Sequence, residues 1–293
     1  MRHVPSRRAG FTLAEILIAV VIIAIIGAAF TRLIIAQSRF FAREYGARTA
    51  RAVARSSMNL MLTDLRMVQD SGGVDSVSSD GRAIRVIVPY AFGMACGNSS
   101  SATVVSLLPT DTSALRLAVY GGWAWRSAST GRYTIVTPSA PLTGDAVAAS
   151  SDPDKCTESS QANIQTLTIN GRSGQIVDLK PSATGIAAYN PVFLWQKVTY
   201  AFDTSASFPG LYGLYRTVSG GSTEEIMAPF ASTARFRFYV PGVDTSEATV
   251  PALSSIRGVD ILLNSLSPKP SNDGVRVEKD IVTAVFFKNT RSF

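Results

Sequence analysis

The chain has 293 residues, of which 46% are hydrophobic and 17% are charged, so it is long and apolar enough to bury a large core and is not disordered by composition. The formal net charge of +7 includes Arg2, Arg7 and Arg8, and the remaining excess is too small to predict nucleic-acid binding. The single histidine, His3, lies beside these arginines, which excludes imidazole catalysis and imidazole-metal sites from the rest of the chain.

The first predicted element is a membrane-spanning helix over residues 11–31. Glu15 is its single charged residue, and at ~1.5 Å per residue the segment matches the ~30 Å hydrocarbon core of a bilayer. The arginines that precede the helix predict a single-pass membrane protein, with its N-terminus in the cytoplasm and the remainder outside it.

Two other interpretations of this segment stay open. A secretory signal peptide could be cut after the small residues at 27–29, and a plain single-pass anchor would need only the apolar run. Neither interpretation accounts for Glu15. A carboxylate in hydrocarbon is unfavourable, so Glu15 predicts a partner or a function.

The sequence AGFTLAE at residues 9–15 resembles the type IV prepilin signal. The resemblance implies that a prepilin peptidase cuts between Gly10 and Phe11, so that residues 1–10 are a leader, and that Phe11 is then N-methylated. It also implies that Glu15 pairs with the free amino terminus of a neighbouring subunit during assembly. Opposite charges at low dielectric attract strongly, which makes such a pair physically reasonable.

An amphipathic stem is predicted to continue the helix, so that one helical unit covers residues 11–70. Met58, Met61, Leu65 and Val68 are spaced as one helical face, which predicts packing against the rest of the protein, and Gly46 is a candidate bend. Seven arginines between 32 and 66 predict a polar face that is solvated or meets anionic lipid headgroups.

Residues 71–293 form a predicted β-rich head outside the cytoplasm, with a polar, exposed insertion at about 138–163. Predicted strands cover residues 83–88, 115–120, 133–137, 164–169, 175–179, 198–202, 211–216, 236–240, 259–263 and 281–287. Asn170-Gly171 indicates a hairpin, and the strands at 198–202 and 211–216 are expected to pair. The fold class is therefore α+β, with a long helix packed on a mainly antiparallel sheet.

Cys96 and Cys156 are the two cysteines of the chain and are candidates for one disulfide, with two separate thiols as the alternative.

The motif pattern predicts no catalytic residue, no metal site and no cofactor. Trp123, Trp125 and Trp195 are expected in the core or at its rim, although the stretch around Trp123 would form a contact surface if exposed.

The order of the C-terminal strands resembles the J-type minor pseudopilins of type II secretion and the related large minor pilins of type IV pili. This resemblance implies a pilin-like fold and a structural minor subunit near the filament tip. The implied partners are prepilin peptidase, other pilin or pseudopilin subunits, an inner-membrane assembly platform and membrane lipid. A pilus-borne adhesin or DNA-uptake subunit is the alternative, and a membrane-tethered enzyme is a third interpretation.

Overall fold

A computed structural model describes residues 12–68, 73–109, 121–127, 131, 133–136, 147–157, 168–169, 171–218, 220–271 and 274–287. Within these ranges, one long helix is followed by strands that all pair in the antiparallel direction. The elements are α1 (Leu13–Leu65), β1 (Val74–Val77), β2 (Ala83–Asn98), β3 (Thr103–Leu107), β4 (Gly122–Arg126), β5 (Tyr133–Val136), β6 (Val147–Ala149), β7 (Thr168–Ile169), β8 (Arg172–Ser173), β9 (Gln175–Leu179), β10 (Pro191–Thr204), β11 (Tyr212–Val218), β12 (Thr223–Phe230), β13 (Arg235–Tyr239), β14 (Gly258–Leu266), β15 (Glu278–Phe286) and two 3-10 turns at Pro153–Cys156 and Leu253–Ser255.

The second half of α1 packs on the sheet through a row of small residues. The buried residues of this row are Gly46, Ala47, Ala50, Ala54 and Ser57. Small side chains let the helix backbone approach the strands closely, and the hydroxyl of Ser265 on β14 donates a hydrogen bond of 2.8 Å to the carbonyl of Ala50. The helix therefore touches the head with its backbone as well as with its side chains.

The larger residues of the predicted stem face follow this row. Met61, Leu65 and Val68 are fully buried and Met58 is half-buried, which confirms the predicted packing face. The helix ends at Leu65, earlier than the predicted residue 70, and the amide of Met67 then donates to the carbonyl of Asp64, three residues back, in a tighter turn. Gly46 is the one buried glycine of α1 and lies within the continuous helix.

Two long strands, β2 and β10, form the centre of the head. They pair from Pro191–Met94 to Ala201–Ala83, with one irregularity at Trp195. The other edge of β10 is divided between two partners, because β4 pairs with its first half and β11 pairs with its second half. The sheet therefore branches around β10, and each branch encloses a core of its own.

The helix-side core lies between α1 and the branch that contains β11 to β15. Its largest buried side chains include Met61, Tyr200, Phe230, Phe236 and Phe238. The tryptophan core lies in the other branch, where the strands β3, β4 and β9 contribute most of the buried residues. Trp123, Trp125, Leu107, Leu179 and Leu194 belong to it. The described part of the head thus contains two large hydrophobic clusters that share two strands, and a small third cluster surrounds the disulfide.

The predicted strands are mostly present, with three differences. The predicted pairing of residues 198–202 with 211–216 is confirmed from Val198–Val218 to Thr204–Tyr212. Strands β7 and β8, on either side of residues 170–171, pair with each other, whereas β9 pairs with β3 and β6. Strands β1, β3, β4, β6, β8 and β12 were not predicted, and the predicted strand at 115–120 lies outside the described residues.

The polar insertion predicted at 138–163 is tied to the sheet in its described part, residues 147–157. Its strand β6 pairs with β9, and the carboxylate of Asp178 on β9 accepts hydrogen bonds from the hydroxyls of Ser150 and Ser151 at 2.6 and 2.9 Å. Paired backbone and this carboxylate hold the described part against the head, while Ser151, Pro153, Asp154 and Thr157 remain exposed.

Candidate functional site: the first helical turn and the exposed half of the helix

The first turn of α1 is closed by a reciprocal pair of side chains. The amide of Glu15 donates to Oγ1 of Thr12 at 3.3 Å, and Oε2 of Glu15 accepts from the amide and hydroxyl of Thr12 at 2.9 and 3.0 Å. This capping box satisfies two amides that would otherwise lack partners at the start of the helix. It also directs the carboxylate of Glu15 toward the chain that precedes the helix.

The first half of α1 makes no contact that buries it. Every residue from Thr12 to Phe41 is exposed, and Leu13, Ile23 and Ile25 expose 82, 68 and 65% of their surfaces. In the described part of the chain, α1 is the one helix that is long and apolar enough to cross a membrane. Such a continuous apolar surface needs lipid or other helices to cover it.

A comparison with protein families finds a match at the N-terminal end of the chain, where α1 begins. The model described as the prokaryotic N-terminal methylation motif matches residues 5–31. The chain carries a type IV prepilin-like signal. Such a signal implies processing by a prepilin peptidase and assembly with other pilins, and with the apolar helix it fits a membrane-anchored pilin. No curated protein and no solved structure matches the chain.

The matched methylation motif includes every residue that we predicted to act in processing or assembly. Gly10 and Phe11 are within the matched stretch but lie outside the described residues. Glu15 is within it as well and occupies the first helical turn. The signal therefore continues directly into the exposed half of α1, and the prepilin-like region and the unburied apolar surface are one continuous segment.

The basic face predicted for the stem is exposed in the structure. Arg39, Arg51 and Arg55 are exposed, and Arg48 pairs across one helical turn with Glu44 at 3.1 Å. An exposed pair of this kind contributes little to stability, typically below ~1 kcal/mol. The arginines are thus available to solvent, lipid headgroups or neighbouring subunits.

The two cysteines form the disulfide that the sequence proposed. Cys96 at the end of β2 and Cys156 in the 3-10 turn have Cα atoms 4.9 Å apart and are both fully buried. Val104 of β3 packs against them. The bond therefore fixes the segment after β6 to the end of the central strand β2, at a point 60 residues earlier in the chain.

The three tryptophans do not form a contact surface. Trp123 is fully buried, and Trp125 and Trp195 expose 6 and 5% of their surfaces. Trp123 and Trp125 lie on β4, whose two edges pair with β10 and β5, and the burial of Ala124 between them shows that both faces of this short strand are covered. The expectation that these residues belong to the core is confirmed, and the alternative of an exposed binding surface is wrong.

The sequence did not predict a cleft of about 280 Å³ on the head, beside the end of the stem. Its walls are mostly apolar, and Phe193 contacts Phe92 and Tyr133 there with ring centroids 5.2 and 5.6 Å apart. Arg66 is the one cation in its described lining. The cleft unites residues from four separate strands and the stem, so no local sequence pattern could indicate it.

Proposed function

We propose that this chain is a structural minor subunit of a type IV pilus or of a type II secretion pseudopilus. The observation that carries the proposal is the coincidence of the methylation motif, at residues 5–31, with a helix whose exposed apolar half begins at Leu13. In an assembled filament, this half packs among the equivalent helices of neighbouring subunits. Before assembly, the lipid bilayer covers it.

Processing produces the charged group that assembly requires. Cleavage between Gly10 and Phe11 by prepilin peptidase leaves an amine on Phe11, which is then N-methylated. That amine lies close in sequence to Glu15, whose carboxylate points back along the chain through its bonds to Thr12. We infer that this carboxylate pairs with the amine of an adjacent subunit, because two opposite charges in hydrocarbon offset part of each other's desolvation cost.

The topology of the proposed subunit follows from the charge distribution. Arg2, Arg7 and Arg8 keep the leader in the cytoplasm, and the head lies on the other side of the inner membrane. An inner-membrane assembly platform then moves the subunit from the bilayer into the filament. The buried disulfide between Cys96 and Cys156 supports this placement, since disulfides persist in oxidising compartments.

The size of the head supports a minor subunit in preference to a repeating one, because a head with two cores is large for a densely packed lattice. Placement near the tip is part of the proposal because of the resemblance to the J-type minor pseudopilins. We propose no enzymatic activity. The one histidine of the chain lies in the leader. A processed chain would therefore lack the residue type that most often acts as a general base.

The alternative of DNA uptake receives little support from the head. The cleft at the end of the stem is mostly apolar, with Arg66 as the one cation in its described lining, whereas a DNA-binding groove needs several cations to contact phosphates. An adhesive role has no exposed tryptophan surface to support it. We therefore retain the structural function.

Intact-mass analysis tests the processing step. The full chain is expressed with and without a prepilin peptidase, and we expect the loss of residues 1–10 and the gain of one methyl group only when the peptidase is present. The variant Gly10→Val should stay uncut. Gly27→Val is the matched control, because nothing lies within 4 Å of the position of its added Cβ, and it should be processed normally. An uncut wild-type chain beside active peptidase would refute the proposal.

Copy number tests the structural role. Filaments sheared from cells that express a tagged chain should contain it in few copies relative to the main subunit, as measured by quantitative mass spectrometry. Equal abundance of the two subunits would contradict a minor role. Absence from the filament fraction, with normal processing, would contradict filament assembly itself.

A further inference from the structure

The last strand of the sheet, β15, has a partner strand on one side only. It pairs with β14 along nine residues, from Gly258–Phe286 to Leu266–Glu278, without an irregularity. Among the described residues, no other strand pairs with it. The methylation motif ends at residue 31, so the processing and assembly described above do not explain this edge of the sheet.

The direction of each amide of β15 follows from the hydrogen bonds at the two ends of its ladder. The amide of Ser267 donates to the carbonyl of Val277 at 2.8 Å, and the amide of Phe287 donates to the carbonyl of Arg257 at 2.9 Å. In an antiparallel pair, alternate residues bond to the same neighbour. The odd-numbered residues of β15 therefore bond to β14, and the amides and carbonyls of the even-numbered residues point away from it. We call these even-numbered residues the open edge: Glu278, Asp280, Val282, Ala284 and Phe286.

The open edge lacks the features that protect other edges in the described part of this sheet. Strands β1, β5 and β6 are three or four residues long. The second edge of β13 is occupied, because the amides of Phe236 and Phe238 donate to the carbonyls of Gly81 and Glu247 at 2.7 and 2.9 Å. Strand β15 is longer, and it contains neither proline nor a bulge. Unpaired backbone of this length is a template for another strand.

The side chains of the open edge are exposed and divide into an acidic half and an apolar half. Glu278 and Asp280 form the acidic half, and neither has an ion pair in the described part of the chain. Val282, Ala284 and Phe286 form the apolar half, in which Val282 and Phe286 expose 60 and 54% of their surfaces. Side chains that lie opposite each other on neighbouring strands interact directly. A complementary strand would therefore carry cations at one end and apolar side chains at the other.

A second copy of the chain does not suit the open edge. Antiparallel pairing of two β15 strands requires a twofold axis perpendicular to the sheet, and such an axis reverses the direction of every element that lies along the sheet. The stem is such an element, because α1 packs across β12, β14 and β15. Two copies paired in this way would have stems that run in opposite directions, whereas the stems of subunits anchored in one membrane run in the same direction.

We propose that the open edge binds an extended segment of a partner protein by strand addition. The segment runs antiparallel to β15. Its apolar side chains lie beside Val282, Ala284 and Phe286, and two basic side chains then lie beside Glu278 and Asp280. Backbone hydrogen bonds supply the affinity, and the alternate side chains supply the specificity. The inference does not rest on the proposed function, because it requires neither processing nor a filament.

Residue-resolved amide hydrogen exchange tests the inference on the full chain in neutral-detergent micelles. The probe is a capped peptide of sequence VTVTVTKTK, and its control, VTVTVTETE, has the same apolar half. We expect the probe to slow exchange of the even-numbered amides between 280 and 286, while amides 281 and 283, which already bond to β14, change little. The control peptide should need an at least about fivefold higher concentration for the same protection. No protection by the probe, or equal protection by both peptides, would overturn the proposal.

A proline at position 282 makes the test specific to the open edge. The amide of Val282 points away from β14, so Val282→Pro removes no bond within the sheet but removes a donor that the added strand requires. It should weaken binding of the probe about tenfold. Val282→Thr is the matched control, because it keeps the amide and a β-branched side chain, and it should bind the probe within about twofold of the wild type. Unchanged binding by Val282→Pro would overturn the proposal.

A charge variant covers the case in which proline opens β15, which faster exchange of amides 281 and 283 would reveal. E278Q/D280N removes both charges, and its new amide at position 280 can still accept the bond of 2.7 Å that Asn264 donates to Asp280. This variant should bind the two peptides within about twofold of each other. A preference for the probe that survives both substitutions would overturn the proposal. Protection of the even-numbered amides that rises with protein concentration, before any peptide is added, would also overturn it, because a second copy would then occupy the edge.

Discussion

The hydroxyl of Tyr200 donates a hydrogen bond of 2.6 Å to Oδ2 of Asp64 and thereby joins the last turn of the stem to a central strand of the head. Arg216 completes the contact, with Nη2 at 3.1 Å from the same oxygen and Nε at 3.3 Å from the hydroxyl. Tyr200 is almost fully buried. The three groups satisfy one another at a site where each would be costly alone.

Substitution of Tyr200 by phenylalanine should destabilise the docked stem. The variant removes a hydrogen bond to a charged acceptor, for which we expect a loss of about 1.5–3 kcal/mol in the free energy of unfolding. Urea unfolding of the full chain in neutral detergent measures it. Tyr212→Phe is the control, because its hydroxyl accepts a bond of 3.2 Å from Arg82 at a half-exposed site, and its loss should be smaller. Equal losses of unfolding free energy in the two variants would show that the hydrogen bond to Asp64 stabilises the protein no more than the half-exposed one does.

Alkaline pH should weaken the folded state through two buried tyrosines. Burial raises the pKa of Tyr90, and burial together with the charge of Asp64 raises the pKa of Tyr200, both well above the usual value of about 10. A raised pKa means that the folded state keeps protons that the unfolded state loses. The stabilisation is therefore complete below about pH 10 and declines above it, by ~1.4 kcal/mol per pH unit for each group.

Unfolding free energies measured between about pH 9 and 11 check this expectation. Y200F and Y90F should each reduce the decline above pH 10, and the double variant should reduce it most. A slope that the two substitutions leave unchanged would assign the alkaline sensitivity to other groups.

The sequence predicts some elements well because their side chains alternate clearly. The strand at 175–179 has the predicted bounds, and Phe236 and Phe238 are buried as their spacing indicates. Strand β3 (Thr103–Leu107) is fully buried, so it has no alternation to detect, and it follows a serine-rich stretch that is typical of a loop. Residue patterns report local burial, and they fail where both faces of a strand are covered.

Only part of the contact between stem and head could be predicted from the sequence, because only part of it is made by large apolar side chains. Large apolar residues such as Met61 and Leu65 have a recognisable helical spacing, whereas Gly46, Ala50 and Ser57 are small and occur on any helical face. Their importance depends on how closely β14 and the following loop approach the helix.

A larger side chain at Gly46 should separate the stem from the head. An added Cβ would lie 3.2 Å from Cβ of Ser267 and from Cγ2 of Val277, so a leucine has no room at this position. We expect Gly46→Leu to reduce the free energy of unfolding by about 1–3 kcal/mol, despite the better helix propensity of leucine. Ala52→Leu places the same side chain on the exposed face and should change stability by less than about 0.5 kcal/mol. Similar losses for both would contradict close packing at Gly46.

Removal of the disulfide should destabilise the branch that contains the tryptophan core. The bond closes a loop with a sequence separation of 60 residues, for which the chain-entropy model gives about 4 kcal/mol. The double variant C96A/C156A should therefore unfold at lower urea, and exchange should accelerate at residues 150–157 more than in the helix-side core. A uniform acceleration across the head would show that the two cores unfold as one unit.

The two partners of the first helical turn should differ in what they contribute to assembly. Thr12→Val removes the hydroxyl that accepts from the amide of Glu15, at a cost of about 1 kcal/mol in helix stability, but it keeps the carboxylate. Glu15→Gln keeps an acceptor for the amide of Thr12 and removes the charge that would pair with an amine. Filament incorporation, measured by quantitative mass spectrometry of sheared filaments, should therefore fall severely for Glu15→Gln and slightly for Thr12→Val. Intact masses of both variants check that each is still processed. If the valine variant were excluded as strongly as the glutamine variant, the capping box itself, and not the charge of Glu15, would be the feature that assembly requires.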